Sequence, residues 1–309
     1  MSITKEPPGK GLAGLETKVS MIAEGTLAGF GSWALDQQGL LAITGSGQMP
    51  NFRWNDDTDS TTAPWWHVKD QITEVHISNG VLNIGANSFH SLEHMTGISI
   101  PSSVSTIGEN AFHDCKCISN ITLPSSVTTI ERGAFSRCSS LKKLSIPSRV
   151  NYIGKWAFWW CLSLTSIIIP NNVVSIREGA FCSCICLTNI TIPYGVTTIG
   201  DYAFMACSKL SNITIPDSVT TIGEKAFHDC GLTNIIIPNG VTTIGDWAFS
   251  ECQSLNSITI PNSVTSLGEG ALHYCKNLKH VKMPGRYYCI FNSSFESKYY
   301  IPKKIVEFT

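Results

Sequence analysis

The sequence predicts an α/β-type repeat solenoid. It would be an arc of parallel strands on a concave side, with short helical or 3₁₀ turns on the convex side and a β-rich N-terminal cap. Three observations predict it. First, a proline recurs at Pro101, Pro124, Pro147, Pro170, Pro193, Pro216, Pro238, Pro261 and Pro284. The step is 23 residues, with one step of 22 where Gly231 follows Cys230 directly. A fixed period in this range marks stacked repeats. Second, each apolar slot keeps one residue type. Val81, Val104, Val127, Val150, Val173, Val196, Val219, Val241 and Val264 form one column. Ile84 to Leu267 and Phe89 to Leu272 form two more. One such turn cannot bury its own apolar face, so neighbouring turns must bury each other. Third, Ile213 and Ile215 alternate with Asn212 and Thr214, the period-two pattern of a strand with one buried face.

Each element follows from the same unit. Leu210-x-x-Ile213-x-Ile215 has the spacing of a leucine-rich repeat. Pro216 lacks the N–H that a ladder needs and ends the strand. Gly200 frees the backbone before Asp201-Tyr202-Ala203-Phe204, read as a short helical turn. The acidic slot there (Glu109, Glu178, Asp201, Glu224, Asp246, Glu269) suits the positive end of such a turn. Ten rungs at strand spacing would span roughly 45 Å.

The consensus I-P-x-x-V-x-x-I-G-x-x-A-F-x-x-C-x-x-L-x-x-I-x-I-P resembles the BspA-type leucine-rich repeats of bacterial and some protist surface proteins. Nine units carry the resemblance. So does the segment before them, Trp33-x-Leu35-Asp36-x-x-Gly39-x-Leu41-x-Ile43-x-Gly45-x-Gly47-x-Met49 followed by Ala63-Pro64-Trp65. The resemblance implies a non-catalytic adhesion or protein-binding module on the cell surface or secreted, with a protein or glycan partner. An intracellular interaction scaffold, in the cytoplasm, is the alternative.

Residues 1–24 read as leader or linker, and 25–71 as a capping hairpin region around Asp36-Gln37-Gln38-Gly39. Residues 72–284 are the solenoid of nine units. Residues 285–309 read as a C-terminal cap rich in Tyr287, Tyr288, Phe291, Phe295, Tyr299 and Tyr300, with an extra strand near Ile305–Phe308. The caps would cover apolar stack ends.

Composition narrows the partners. The 309 residues carry 22 basic and 23 acidic side chains, a formal charge of −1. No basic stripe exists, so nucleic acid is not an expected partner. No apolar run is long enough to insert into a membrane, and the first residues lack the apolar core of a signal peptide. Eight of the twelve cysteines fill one slot, from Cys115 to Cys275. They read as small buried fillers. Cys117, Cys182, Cys186 and Cys289 lie outside it, free to pair or not. Neither Cys182-x-Cys184-x-Cys186, nor Asn55–Asp59, nor His90-x₃-His94 has the full ligand set of a metal site, so no cofactor or metal is expected. No nucleophile–base pair is visible, and no enzyme activity is expected.

Two surfaces remain as candidates. On the concave strands, Asn120, Thr122, Lys143, Asn189, Thr191, Asn212, Thr214 and Asn234 form a weakly polar face. It is either ordinary solvated strand or a hydrogen-bonding face for a peptide or glycan. On the turn side, Trp156, Trp159 and Trp160 have i, i+3, i+4 spacing. Tyr202, Met205 and Trp247 take equivalent slots in later units. Exposed aromatics of this kind are enriched at interfaces and would serve a partner or self-association; the alternative is that the rings pack on the convex surface.

Overall fold

The computed structural model describes residues 20–287 and 305–309. It is a parallel-strand solenoid, as the period predicts. One long side of most rungs is a three-residue strand, for example Asn120–Thr122, Lys143–Ser145, Ser166–Ile168 and Asn189–Thr191. Consecutive rungs pair in parallel with a strict one-unit register, Asn120 against Lys143 and Lys143 against Ser166. In Asn120–Thr122 and Lys143–Ser145 the central residue is buried and its neighbours face solvent. Each proline then closes the strand, and its carbonyl accepts the N–H of the valine three residues on, as in Val196 to Pro193 at 3.1 Å.

A second side was not anticipated. Two-residue strands, Thr129–Ile130 or Thr198–Ile199 among them, stack into ladders of their own. Threonine faces outward and isoleucine is buried. Two residues suffice because the pairing partner is an identical rung above and below.

The third side carries the turn, and here the expected helical turn is replaced by something else. Each unit holds two left-handed positions four residues apart. In one unit they are Tyr202 (φ 58°) and Ala206 (φ 59°). The same two slots recur as Asn110 and Asp114, Trp156 and Trp160, and Trp247 and Glu251. Gly133, Gly179 and Gly270 occupy the first slot in other units. This geometry produces consecutive tight turns, Ala203 N–H to Gly200 O (3.3 Å) and Cys207 N–H to Phe204 O (3.2 Å). It also aims alternate N–H groups along the stack. Tyr202, Phe204 and Ala206 donate to the carbonyls of Glu224, Ala226 and His228 at 2.8 Å each. A helix would have spent those donors within its own turn. The acidic slot has a different role from the one expected. Asp201 and Asp246 each accept the N–H of the next unit's acidic residue, Glu224 and Glu269, at 2.8 and 2.7 Å.

Inside, the phenylalanine column is a continuous stack. Ring centroids from Phe89 to Phe249 step by 5.2–5.6 Å. All eight rings are fully buried. The cysteine ladder is more than a filler. Each thiol donates to the phenylalanine carbonyl of the rung before it, Cys207 to Phe181 at 3.2 Å and Cys138 to Phe112 at 3.1 Å. Burial pushes these thiols well above their ordinary range, so they stay protonated donors. Among the described residues every cysteine is free, with Cys117 exposed and Cys186 half-buried. Cys289, most of the aromatic tail and residues 1–19 lie outside the described residues.

The N-terminal end is closed by three antiparallel strands, β1 (Met21–Leu27), β2 (Gly31–Asp36) and β3 (Leu40–Gly45). The predicted hairpin is β2–β3, and β1 adds to its outer edge. β3 pairs in parallel with Glu74–Ile77, so the sheet runs unbroken into the first rung. Trp65 is fully buried and stacks on Phe89 at 6.1 Å, extending the ring column by one. At the far end Val306–Phe308 pairs in parallel with His280–Met283, the extra strand expected near Ile305–Phe308.

The short unit leaves a trace. Gly231 sits where an added Cβ would lie 2.2 Å from the Ser208 carbonyl oxygen. That close approach absorbs the missing residue. The long-side sheet is interrupted just before it: residues 211–215 form no strand, and the sheet ends at Asn189–Thr191 and resumes at Asn234–Ile236.

Candidate functional site

The strand face gathers five of the eight predicted residues. Asn189, Thr191, Asn212, Thr214 and Asn234 line one groove of about 660 Å³ at the interruption. Asn120, Thr122 and Lys143 lie further up the same face, exposed but outside the groove. The face is less polar than its small hydroxyls and amides suggest. Ile236 is 83 % exposed at the groove and Ile168 is 74 % exposed one rung above Asn189. Each takes a slot that holds threonine or serine in most units.

On the turn side the three tryptophans do cluster, without a helix. Trp156 and Trp159 meet edge to face at 6.1 Å, and Trp159 and Trp160 lie 5.9 Å apart. Trp156 and Trp160 are both left-handed, which turns their side chains outward beside Trp159. Trp156 leans along the stack over Gly179, where an added Cβ would meet its ring at 2.0 Å. That glycine lets the indole reach Tyr202, two units on, at 6.1 Å. Tyr202 in turn donates its hydroxyl to Glu224 at 3.0 Å, which raises the phenol's pKa. Trp160 is 42 % exposed, and the Arg137 guanidinium lies 5.2 Å from its ring centroid. Met205 is half-buried in the slot of Trp159, two units away. Trp247 lies two units beyond Tyr202, over Gly270 and against His273 at 5.0 Å.

Arg137 joins this patch to a pocket that sequence reasoning missed. A cavity of about 470 Å³ opens between the cap and the first turns, with Trp54, Trp66, His113, Asp114 and Arg137 among its walls. Trp54 comes from a short antiparallel pair, Trp54–Asn55 with Ser60–Thr61, and Trp66 from a 3₁₀ helix, Trp66–Gln71. Trp54 stacks on His90 at 3.8 Å, and His90 stacks on His113 at 4.5 Å. Burial, then the neighbouring His113 and Arg137, pushes His90 down to about 3. Burial lowers His113 as well, against the pull of Asp114. His94, the other half of the i, i+4 pair, is on the surface. The signal that could have revealed the pocket is the shared slot of His90 and His113, directly after two stacked phenylalanines.

The comparisons with known proteins agree with this architecture. The profile of the BspA type leucine rich repeat region matches residues 66–187 and 174–302. The chain belongs to that family. Among solved structures, a leucine-rich repeat protein from Bacteroides ovatus aligns at 27 % identity and a TM-score of 0.70, over 87 % of this chain and 72 % of that one. A leucine-rich repeat protein from Eubacterium ventriosum aligns at 24 % identity and a TM-score of 0.58, over 85 % and 78 %. No curated protein sequence matches. Among the described residues no helix is long and apolar enough to cross a membrane.

Proposed function

We propose that the chain is a non-catalytic adhesion module of a surface-displayed or secreted protein, binding a protein or glycan partner through the solenoid surface. The observation that carries this reading is the continuous turn-side strip. It runs from Trp54 and His113 through Arg137 to Trp160, Trp159, Trp156 and Tyr202. Rigid rings beside a paired arginine are the side chains that dominate binding hot spots. The inward slots leave no freedom for recognition, whereas the turn slots vary from unit to unit and carry it. The family of surface proteins to which the repeats belong supports display outside the cell. A scaffold inside the cell is the second reading, favoured by one observation: among the described residues every cysteine is free, the exposed Cys117 included.

The double variant Trp159→Ser/Trp160→Ser tests the site. Partner capture or self-association should fall at least tenfold (about 1.4 kcal/mol), with an unchanged unfolding midpoint. A large stability loss with unchanged association would assign these rings to packing instead.

A further inference from the structure

We propose that the pocket between the cap and the first turns is a binding site for an uncharged saccharide unit. This deepens the adhesion reading and rests on it, by naming a ligand class for one end of the strip.

Three features of the pocket point to that class. Trp54 and Trp66 meet at 5.9 Å with their planes 87° apart, forming an aromatic corner. Trp54 is held by its stack on His90, which also lines the pocket, and Lys69 lies 5.0 Å from the Trp66 centroid. Rigid ring walls of this kind take the flat, weakly apolar C–H face of a sugar. The second feature is the rest of the lining, where Glu93, Asn110, Asp114 and Arg137 bring acceptors and donors to the same space. A sugar hydroxyl both donates and accepts, so it matches a mixed wall that a purely anionic or cationic group cannot. Third, the cations are already matched. Arg137 bonds Asp114 at 3.3 Å, Lys116 spans Glu93 (2.8 Å) and Asp114 (3.5 Å), and Lys69 pairs with Asp70 at 3.1 Å. Asp59, Glu93 and Asp114 outnumber Lys69 and Arg137 along the lining, so a phosphate or sulfate meets net negative charge, whereas a neutral ligand can add bonds to the lone pairs and N–H groups that remain. The volume, about 470 Å³, lies in the range of small-ligand sites.

The reading can be tested on the full chain labelled with 5-fluorotryptophan. The Trp54 and Trp66 fluorine signals are assigned from Trp54→Phe and Trp66→Phe. Glucose, galactose, mannose, N-acetylglucosamine and N-acetylgalactosamine are then titrated to millimolar concentration. The expected result is a saturable shift of both signals with at least one of these sugars. Glu93→Ala and Arg137→Ala should each weaken the apparent affinity by about tenfold or more. Three results would overturn the proposal: no shift with any neutral sugar, equal or larger shifts with inorganic phosphate or sulfate, or shifts that neither variant weakens. Failure here with partner binding still lost in Trp159→Ser/Trp160→Ser removes the saccharide pocket and leaves the adhesion reading standing. Sugar binding with no partner at the tryptophan patch does the reverse.

Discussion

His90 is a residue whose chemistry is set entirely by its neighbours. Its ring lies between Trp54 and His113, with Ser91 Oγ 2.8 Å from Nδ1 and Arg137 and Asp114 beyond. The neutral ring fits this place and the charged one does not. In the unfolded chain His90 takes up a proton near 6.5, while in the fold it does so only near 3. Between these values the unfolded state binds more protons, so stability falls as pH falls. The contribution is complete above about 6.5 and is lost progressively down to about 3. His113, also lowered by burial, adds to the same trend. Urea midpoints measured across this window should decline steadily, and His90→Phe, which keeps a stackable ring, should flatten the decline. An identical slope in that variant would show that His90 is not the group responsible. The left-handed slots make the same point about neighbours. Trp156, Trp160 and Tyr202 adopt a backbone that costs about 1–2 kcal/mol for an L-residue, and the N–H bonds between rungs offset it.

At the scale of the element, the unit is a loop with three bonded sides and one column of each apolar type. Phe204 illustrates its energetics. It is fully buried, 5.6 Å from Phe181 and 5.4 Å from Phe227. Its carbonyl accepts both the Cys207 N–H and the Cys230 thiol. Truncation removes ring contacts on two sides at once. Phe204→Ala should cost about 3–5 kcal/mol, measured by denaturant unfolding; a loss under about 1 kcal/mol would contradict the stacked column. The slot pattern was legible in the sequence because every inward position meets the same neighbours in every unit. The turn was not. Asp201-Tyr202-Ala203-Phe204 is compatible with a helical turn, and the residues that mark its first left-handed slot, Asn110, Gly133, Gly179 and Gly270, sit in other units. Only the alignment of N–H groups with the next rung selects that backbone. The four-residue spacing of Trp156 and Trp160 therefore suggested the right cluster through the wrong geometry.

For the whole molecule, the ends decide whether a stack is soluble. Trp65 continues the ring column, and its indole N–H donates to the Ser88 carbonyl at 2.8 Å. Phe52 and Trp33 pack edge to face against it at 5.3 and 6.0 Å. Without this cover, Phe89 and Ile84 would face water beside an unpaired strand edge, a template for association. Deleting residues up to 71 should therefore convert the protein to oligomers or aggregate in size-exclusion chromatography. A monomeric, fully folded deletion product would show that the cap is dispensable.

The period, the inward columns and the parallel strands can be read from the sequence, since repetition writes each buried environment many times over. Tertiary structure alone decided three things. It turned Trp156 over Gly179 onto Tyr202, it gathered Asn189 to Asn234 at an interrupted sheet, and it brought Trp54 and Trp66 of the cap against His113 and Arg137 of the first turns. The physical reason is that the ring contacts join residues that are far apart in the chain and differ from unit to unit, and that the repeat that aligns Asn189 with Asn234 does not mark where the sheet breaks.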